Sequence, residues 1–216
     1  MLRGYLGVAA SRRARVVADR GTLEDFLASR SSHVAQTSLY GYLRARAGTR
    51  FPELFADEEF SRSINIAKWQ VWLACLSDLS IYAGGLVAQR DRNAVGEVGQ
   101  LMCTSVEAIL SATGVPPDTG PEFTVEADRL RRRLRACHWP VVQDDETPFS
   151  ESPAALVRFA PVVDEFKRQD EEIVKNSVRF RWQEVRRDFR GQLDAAALMA
   201  SARVVGQRDG SSDDRA

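Results

Sequence analysis

Apolar positions recur with helical spacing from Leu23 to about Val204, and no stretch alternates polar and apolar residues as a half-buried strand would. Helix punctuation divides this pattern into segments. Thr22 followed by Asp25 is a variant capping box that starts a helix through Leu23, Phe26 and Leu27; it runs on or restarts at Ser31 and stops at Gly48. Asp57 caps a second, long helix reaching about Tyr82, where Gly84 and Gly85 end it or bend it. Asn93 precedes a third, carried by Val98, Leu101, Met102, Val106, Ile109 and Leu110, and three prolines make Gly114 to Pro121 a loop. Thr124 opens a short charged helix that ends before Pro140. An acidic run then leads to Ser152 and Pro153, an N-cap and first-turn pair. After Pro161 one helical pattern continues to about Val204, supported by the i,i+4 pairs Asp164 with Arg168 and Glu171 with Lys175.

The pattern predicts an all-α, single-domain helical bundle of about six helices, built around the apolar helix 57–83 and clasped by a long C-terminal helix over 162–204. The domain is expected over residues 22–205, between a basic flexible extension at 1–21 and a Gly/Ser/Asp-rich disordered tail at 206–216. The long helix carries two apolar rows. Phe166, Ile173 and Phe180 lie on one face, while Val178, Trp182, Val185, Phe189 and Leu193 lie on another, so the helix either bends or touches two different partners.

Composition narrows the function classes. The 216 residues include 30 basic and 30 acidic side chains with 44% hydrophobic residues, so neither disorder nor a chain-wide electrostatic field for nucleic acid is indicated. The zero total hides a first segment, 1–56, with nine arginines against four acids, and a second, 57–123, with four bases against nine acids. Those two parts could attract each other. Arg129, Arg131, Arg132, Arg133 and Arg135 form one basic run, and Arg186, Arg187 and Arg190 another. They raise anion or nucleic-acid binding, but residues 124–216 hold 17 basic and 17 acidic groups, which favours a solvated salt-bridge face.

Three cysteines without CxxC spacing give neither a disulfide framework nor a zinc site, and they suit reduced thiols in a cytoplasmic protein with no metal and no cofactor. His138, between Cys137 and Trp139, has no second ligand cluster and is read as structural. Ile64 to Val87 is the best membrane-span candidate, yet Lys68, Gln70 and Asp78 interrupt it, so a buried bundle helix is expected. Arg12, Arg13 and Arg15 likewise break the apolar N-terminal stretch that a secretory signal would need. Their arginine-rich, acid-poor setting also resembles an organelle transit peptide.

One polar constellation stands out. On the segment Ser32 to Ala47, His33, Thr37, Tyr40 and Arg44 share a stripe beside an apolar one of Leu39, Leu43 and Ala47, and Gly41 leaves room for another backbone. On the second helix Asp78 shares its face with Ile64, Ala67, Val71, Ala74, Cys75 and Tyr82. A carboxylate buried there without a partner would cost several kcal/mol, so it must be protonated, paired, or facing a wet cavity. Lys68 lies about 15 Å away along the same helix, which leaves Arg44 or Arg50 as the expected counter-ion. Two readings follow. In one, Asp78 and an arginine form a buried pair that fixes helix register. In the other, Asp78, His33, Thr37, Tyr40, Arg44, Arg50 and Tyr82 line a pocket for a small anionic or hydrogen-bonding ligand.

The segments Ser38-Leu-Tyr-Gly-Tyr-Leu43, Arg50-Phe-Pro-Glu-Leu-Phe55, Ser63-Ile-Asn-Ile-Ala-Lys68 and Cys75-Leu-Ser-Asp-Leu-Ser-Ile-Tyr82 resemble a group of short bacterial proteins often labelled "esterase", over about Leu23 to Leu198. That resemblance implies ester hydrolysis. A non-standard site would draw on Ser77 or Ser38, His33 and Asp78. The chain has no Gly-x-Ser-x-Gly elbow, however, and adjacent helical residues such as Ser77 and Asp78 point about 100° apart. The favoured expectation is therefore a non-catalytic binding or scaffold protein, with a protein partner or a second copy contacting helix 162–204.

Overall fold

The computed structural model describes residues 15–117 and 119–210, and it is all-α: seven α-helices and no strand among the described residues. They are α1 (Arg20–Ala47), α2 (Glu58–Arg90), α3 (Val95–Thr113), α4 (Glu122–Arg135), α5 (Glu151–Phe159), α6 (Asp164–Gln192) and α7 (Ala195–Gly210). Helix α2 is the hub, with α1, α3, α4 and α5 packed around it. From Gln70 to Ala88 every residue of α2 except Ala74 is buried, so this long apolar helix is a core element of the bundle. Fully burying each leucine of that run contributes about 1.5–3 kcal/mol.

Local chemistry explains the boundaries, including those that differ from the sequence reading. Helix α1 starts two residues before Thr22, because Asp19 is the N-cap: its Oδ1 accepts from the Thr22 N–H at 2.8 Å, and the Asp19 N–H donates to Thr22 Oγ1 at 3.1 Å. Val17 is 1% exposed, with its N–H donating to Gln192 O and its carbonyl accepting from Asp194 N–H. The domain thus begins before residue 22. The rest of the expected extension, residues 1–14, lies outside the described residues, as do 211–216 of the expected tail; Gly206 to Gly210 belong to α7.

The glycines at 84 and 85 neither end nor bend α2, which runs on to Arg90. They leave space for the turn at 139–142: a Cβ on Gly84 would stand 2.4 Å from the Trp139 ring, and one on Gly85 2.4 Å from Val142. Asn93 sits in a short 3-10 turn whose cap is Asp91, so α3 begins at Val95. Helix α4 starts at Glu122 behind Pro121 rather than at Thr124, and α5 starts at Glu151, which makes Ser152 and Pro153 first-turn residues.

The long C-terminal pattern is two helices. Leu193 is extended, Asp194 re-caps the chain by accepting from Ala197 N–H at 3.0 Å, and the Arg90 guanidinium donates to the carbonyls of Arg190 and Leu193 at the end of α6. Helix α6 packs on α5 and α1 through Val174, Val178, Trp182, Val185 and Phe189. Its other apolar row remains outside.

Candidate functional site

Asp78 is completely buried, as its place on α2 demands, and it is paired. Its counter-ion is Arg133 of α4, whose Nη1 donates to Asp78 Oδ1 at 2.6 Å, and not Arg44 or Arg50. Arg44 is exposed and lies over the Phe51 ring, and Arg50 is an exposed partner of Glu53. Arg133 reaches inward because α4 crosses α2 there; the same guanidinium donates to Ser77 Oγ at 2.9 Å and to Pro148 O at 2.8 Å.

The remaining acceptor positions of Asp78 are filled by the start of α5. Glu151 N–H donates to Oδ1 at 3.1 Å, and Ser152 donates to Oδ2 with both its N–H and its hydroxyl at 2.7 Å. The first N–H groups of a helix have no partner within it and carry the positive end of the helix dipole. Asp78 is therefore a cap supplied by another helix, which seats α5 on α2 and closes the anion site that α5 would otherwise present. Burial pushes the Asp78 carboxyl up from the usual aspartate value, against the Arg133 charge and the Ser152 hydrogen bonds that hold it down. Behind it, Trp182 Nε1 donates to Ser152 Oγ at 3.0 Å, and the Trp182 ring stacks on Phe149 with centroids 4.7 Å apart. The gap beside Ser77, Arg133 and Glu151 measures about 20 Å³. That volume admits about one water and no ligand.

The other predicted site residues lie elsewhere. Tyr82 is buried and donates to Asp144 Oδ1 at 2.8 Å, in a cluster where Arg186 donates to Asp144 O at 2.8 Å and Arg190 lies 3.3 Å from the Asp144 carboxylate. Burial, reinforced by the Asp144 carboxylate, pushes the Tyr82 hydroxyl up to about 12. His33 is exposed, Thr37 bonds the His33 carbonyl at 2.7 Å, and Tyr40 is half-buried against the core. These residues do not converge with Asp78. His33 instead borders an open groove of about 910 Å³ between α1 and α6, lined also by Arg30, Phe180, Arg181, Arg187 and Arg190.

The same placement bears on hydrolysis. Ser77 Oγ accepts from an arginine that cannot act as a base, Ser38 is 3% exposed on α1, and neither histidine bonds to a serine or to Asp78 among the described residues. No group of three or more His, Cys, Asp or Glu among the described residues is placed to hold a metal ion.

Sequence reasoning missed Arg133 and Ser152 as partners of Asp78, Trp182 as the partner of Ser152, and Asp144 as the partner of Tyr82. It also missed a clamp between α1 and α6, in which Asp170 accepts from Tyr42 at 3.0 Å and from the Arg46 fork, whose hydrogen bonds hold the Asp170 carboxyl below its usual range. The arginine run on α4 was visible, and its one inward member is the one that matters. The basic runs are largely consumed internally: Arg129 pairs with Glu151, Arg131 with Glu107, and Arg186 and Arg190 with Asp144. Comparison with protein-family models, curated proteins and solved structures found no match to this chain.

Proposed function

We propose that this chain is a non-catalytic helical binding or scaffold protein whose contact surface is the outward face of α6. The observation that carries this reading is the row Phe166, Ile173 and Phe180: large apolar side chains at seven-residue spacing, with Ile173 72% and Phe180 71% exposed. Large apolar side chains aligned on one helix face and left in water by a folded domain support a contact site there. The polar groups offer little to catalysis, since Asp78 is spent on capping α5 and Ser77 has no base beside it.

Two measurements test the reading. Ile173→Ser and Phe180→Ser should leave unfolding free energy within about 0.5 kcal/mol of the parent, because neither side chain holds the core. A screen with generic acyl esters should give no turnover; turnover abolished by Ser77→Ala or His33→Ala in a folded protein would establish a hydrolase instead.

A further inference from the structure

We propose that the open groove between α1 and α6 binds an aryl phosphate, a small dianion on an aromatic body, with the Arg181 guanidinium as its anchor. Of the row that forms the contact surface proposed above, only Phe180 lines this groove.

Arg181 is the group that calls for a ligand. Every other arginine lining the groove has an acidic partner: Arg30 lies 3.1 Å from Asp188, Arg187 3.8 Å from Glu184, and Arg190 3.3 Å from Asp144. Arg181 has no acidic partner among the described residues, and its Nε is buried without an acceptor. A guanidinium carries five N–H donors in a fixed fork that matches phosphate oxygens. A buried donor without an acceptor is a standing cost that a ligand oxygen removes.

The two helices hold this fork in place. They run antiparallel, tied at one end by Arg30 with Asp188 and at the other by Tyr42 and Arg46 with Asp170. Between these ties Arg181 reaches from α6 to α1 at Gly41, where a Cβ would stand 3.4 Å from its Nη2. The guanidinium is thereby braced by both walls of the groove, which His33 and Arg30 line from α1 and Arg187 from α6. A charged fork braced in this way loses less freedom when it binds.

Charge and shape select the class of ligand. The acids that pair with the groove's arginines are shared, Asp188 between Arg30 and Arg187, and Asp144 between Arg190 and Arg186. With Glu184 included, five arginines (30, 181, 186, 187 and 190) meet three carboxylates, an excess of two positive charges. That excess suits a phosphate monoester dianion better than a single carboxylate. The groove measures about 910 Å³, room for more than a phosphate, and the Phe180 ring at its edge is 71% exposed and offers a face to an aromatic body.

Isothermal titration of the full chain with phenyl phosphate at low ionic strength provides the test, and saturable binding with Kd below about 1 mM is expected. Benzoate, with one charge and a planar head, should bind at least about tenfold more weakly. Inorganic phosphate, which has no ring to set on Phe180, should bind at least about fivefold more weakly. Arg181→Met keeps the apolar stem and should abolish binding while its melting temperature stays at or above the parent's, since the donor it removes has no partner. Arg187→Gln changes a side chain that is 71% exposed, so the fold is retained, and it should weaken binding about threefold or more. No saturable heat with phenyl phosphate, or unchanged affinity in Arg181→Met, would overturn the site. Benzoate as tight as phenyl phosphate would overturn the dianion, and inorganic phosphate as tight would overturn the aromatic body. Should Arg181→Met fail to fold, unchanged affinity in Arg187→Gln overturns the site in its place. Ile173→Ser lies outside the groove and should bind as the parent does, so failure of the contact surface and failure of this site are told apart.

Discussion

The indole N–H of Trp182 donates to the hydroxyl of Ser152 at 3.0 Å, and that hydroxyl in turn donates to Asp78 at 2.7 Å. A relay from α6 through α5 to α2 is thereby completed between side chains that are each fully buried. Each group is satisfied only while the next is present, so the three helices are locked in one relative position. Ser152→Ala removes two of these hydrogen bonds and strands a buried indole N–H. It should cost about 2–4 kcal/mol in urea unfolding, and a double cycle with Trp182→Phe should show coupling of about 1 kcal/mol. Additive losses would mean that the relay is not a unit.

Among the described residues Arg133 is the only charged partner of Asp78, and its removal should make stability depend on pH. Burial already holds the Asp78 carboxyl above its usual 3.8, and Arg133 is the largest influence opposing that rise. In Arg133→Met the folded-state value climbs further. A carboxyl raised on folding contributes fully below its unfolded value and loses that contribution as pH rises through the folded one. The penalty of Arg133→Met relative to the parent should therefore be small near pH 4 and grow to about 3–5 kcal/mol at pH 8. A pH-independent penalty would show that Asp78 stays protonated in the native chain.

The fold was legible in the sequence because burial and periodicity coincide: the face carrying Asp78 on α2 is the core, and the row ending in Phe189 on α6 packs inward. What escaped was the tertiary partner. Buried Asp78 does require a counter-ion, but Arg44 and Arg50 of the first helical region engage Phe51 and Glu53 instead. Which of 27 arginines points inward depends on the crossing of α4 over α2, a long-range relation that spacing does not encode. Ser152 before Pro153 has the pattern of a cap for its own helix, but it is a first-turn residue capped from α2. The break at Leu193 was invisible for a similar reason. Local propensity there allows a continuous helix, and the pairing with Val17 extends the chain.

The glycines of α2 offer a test of close packing. Gly84→Ala would drive a methyl into the Trp139 ring and Met102, and Gly85→Ala into Val142, with every approach under 3.0 Å except that to the second Val142 methyl. Each should lose about 1–3 kcal/mol, although alanine is the better helix former. Gly96→Ala on α3 meets nothing within 4 Å and should gain about 0.5–1 kcal/mol. Thermal unfolding of the three variants reads the contrast directly. A gain at position 84 would show that the 139–142 turn is not seated on α2.

Tyr82 joins α2 to the Asp144 cluster, and its ionisation reports that joint. Its hydroxyl is held up at about 12, first by burial and then by the Asp144 carboxylate that accepts its hydrogen bond. The unfolded chain releases this proton near the ordinary tyrosine value of 10.0. A group raised on folding contributes fully below its unfolded value, so stability is intact below pH 10 and declines as pH climbs toward about 12. Tyr82→Phe should cost about 1 kcal/mol at neutral pH through the lost hydrogen bond, yet it should flatten this alkaline decline. In absorbance titration the latest tyrosine phase of the parent should vanish in Tyr82→Phe and move to lower pH in Asp144→Asn, where the negative charge beside the phenol is gone. A late phase that ignores Asp144→Asn would leave burial alone as its cause and would detach Asp144 from the joint.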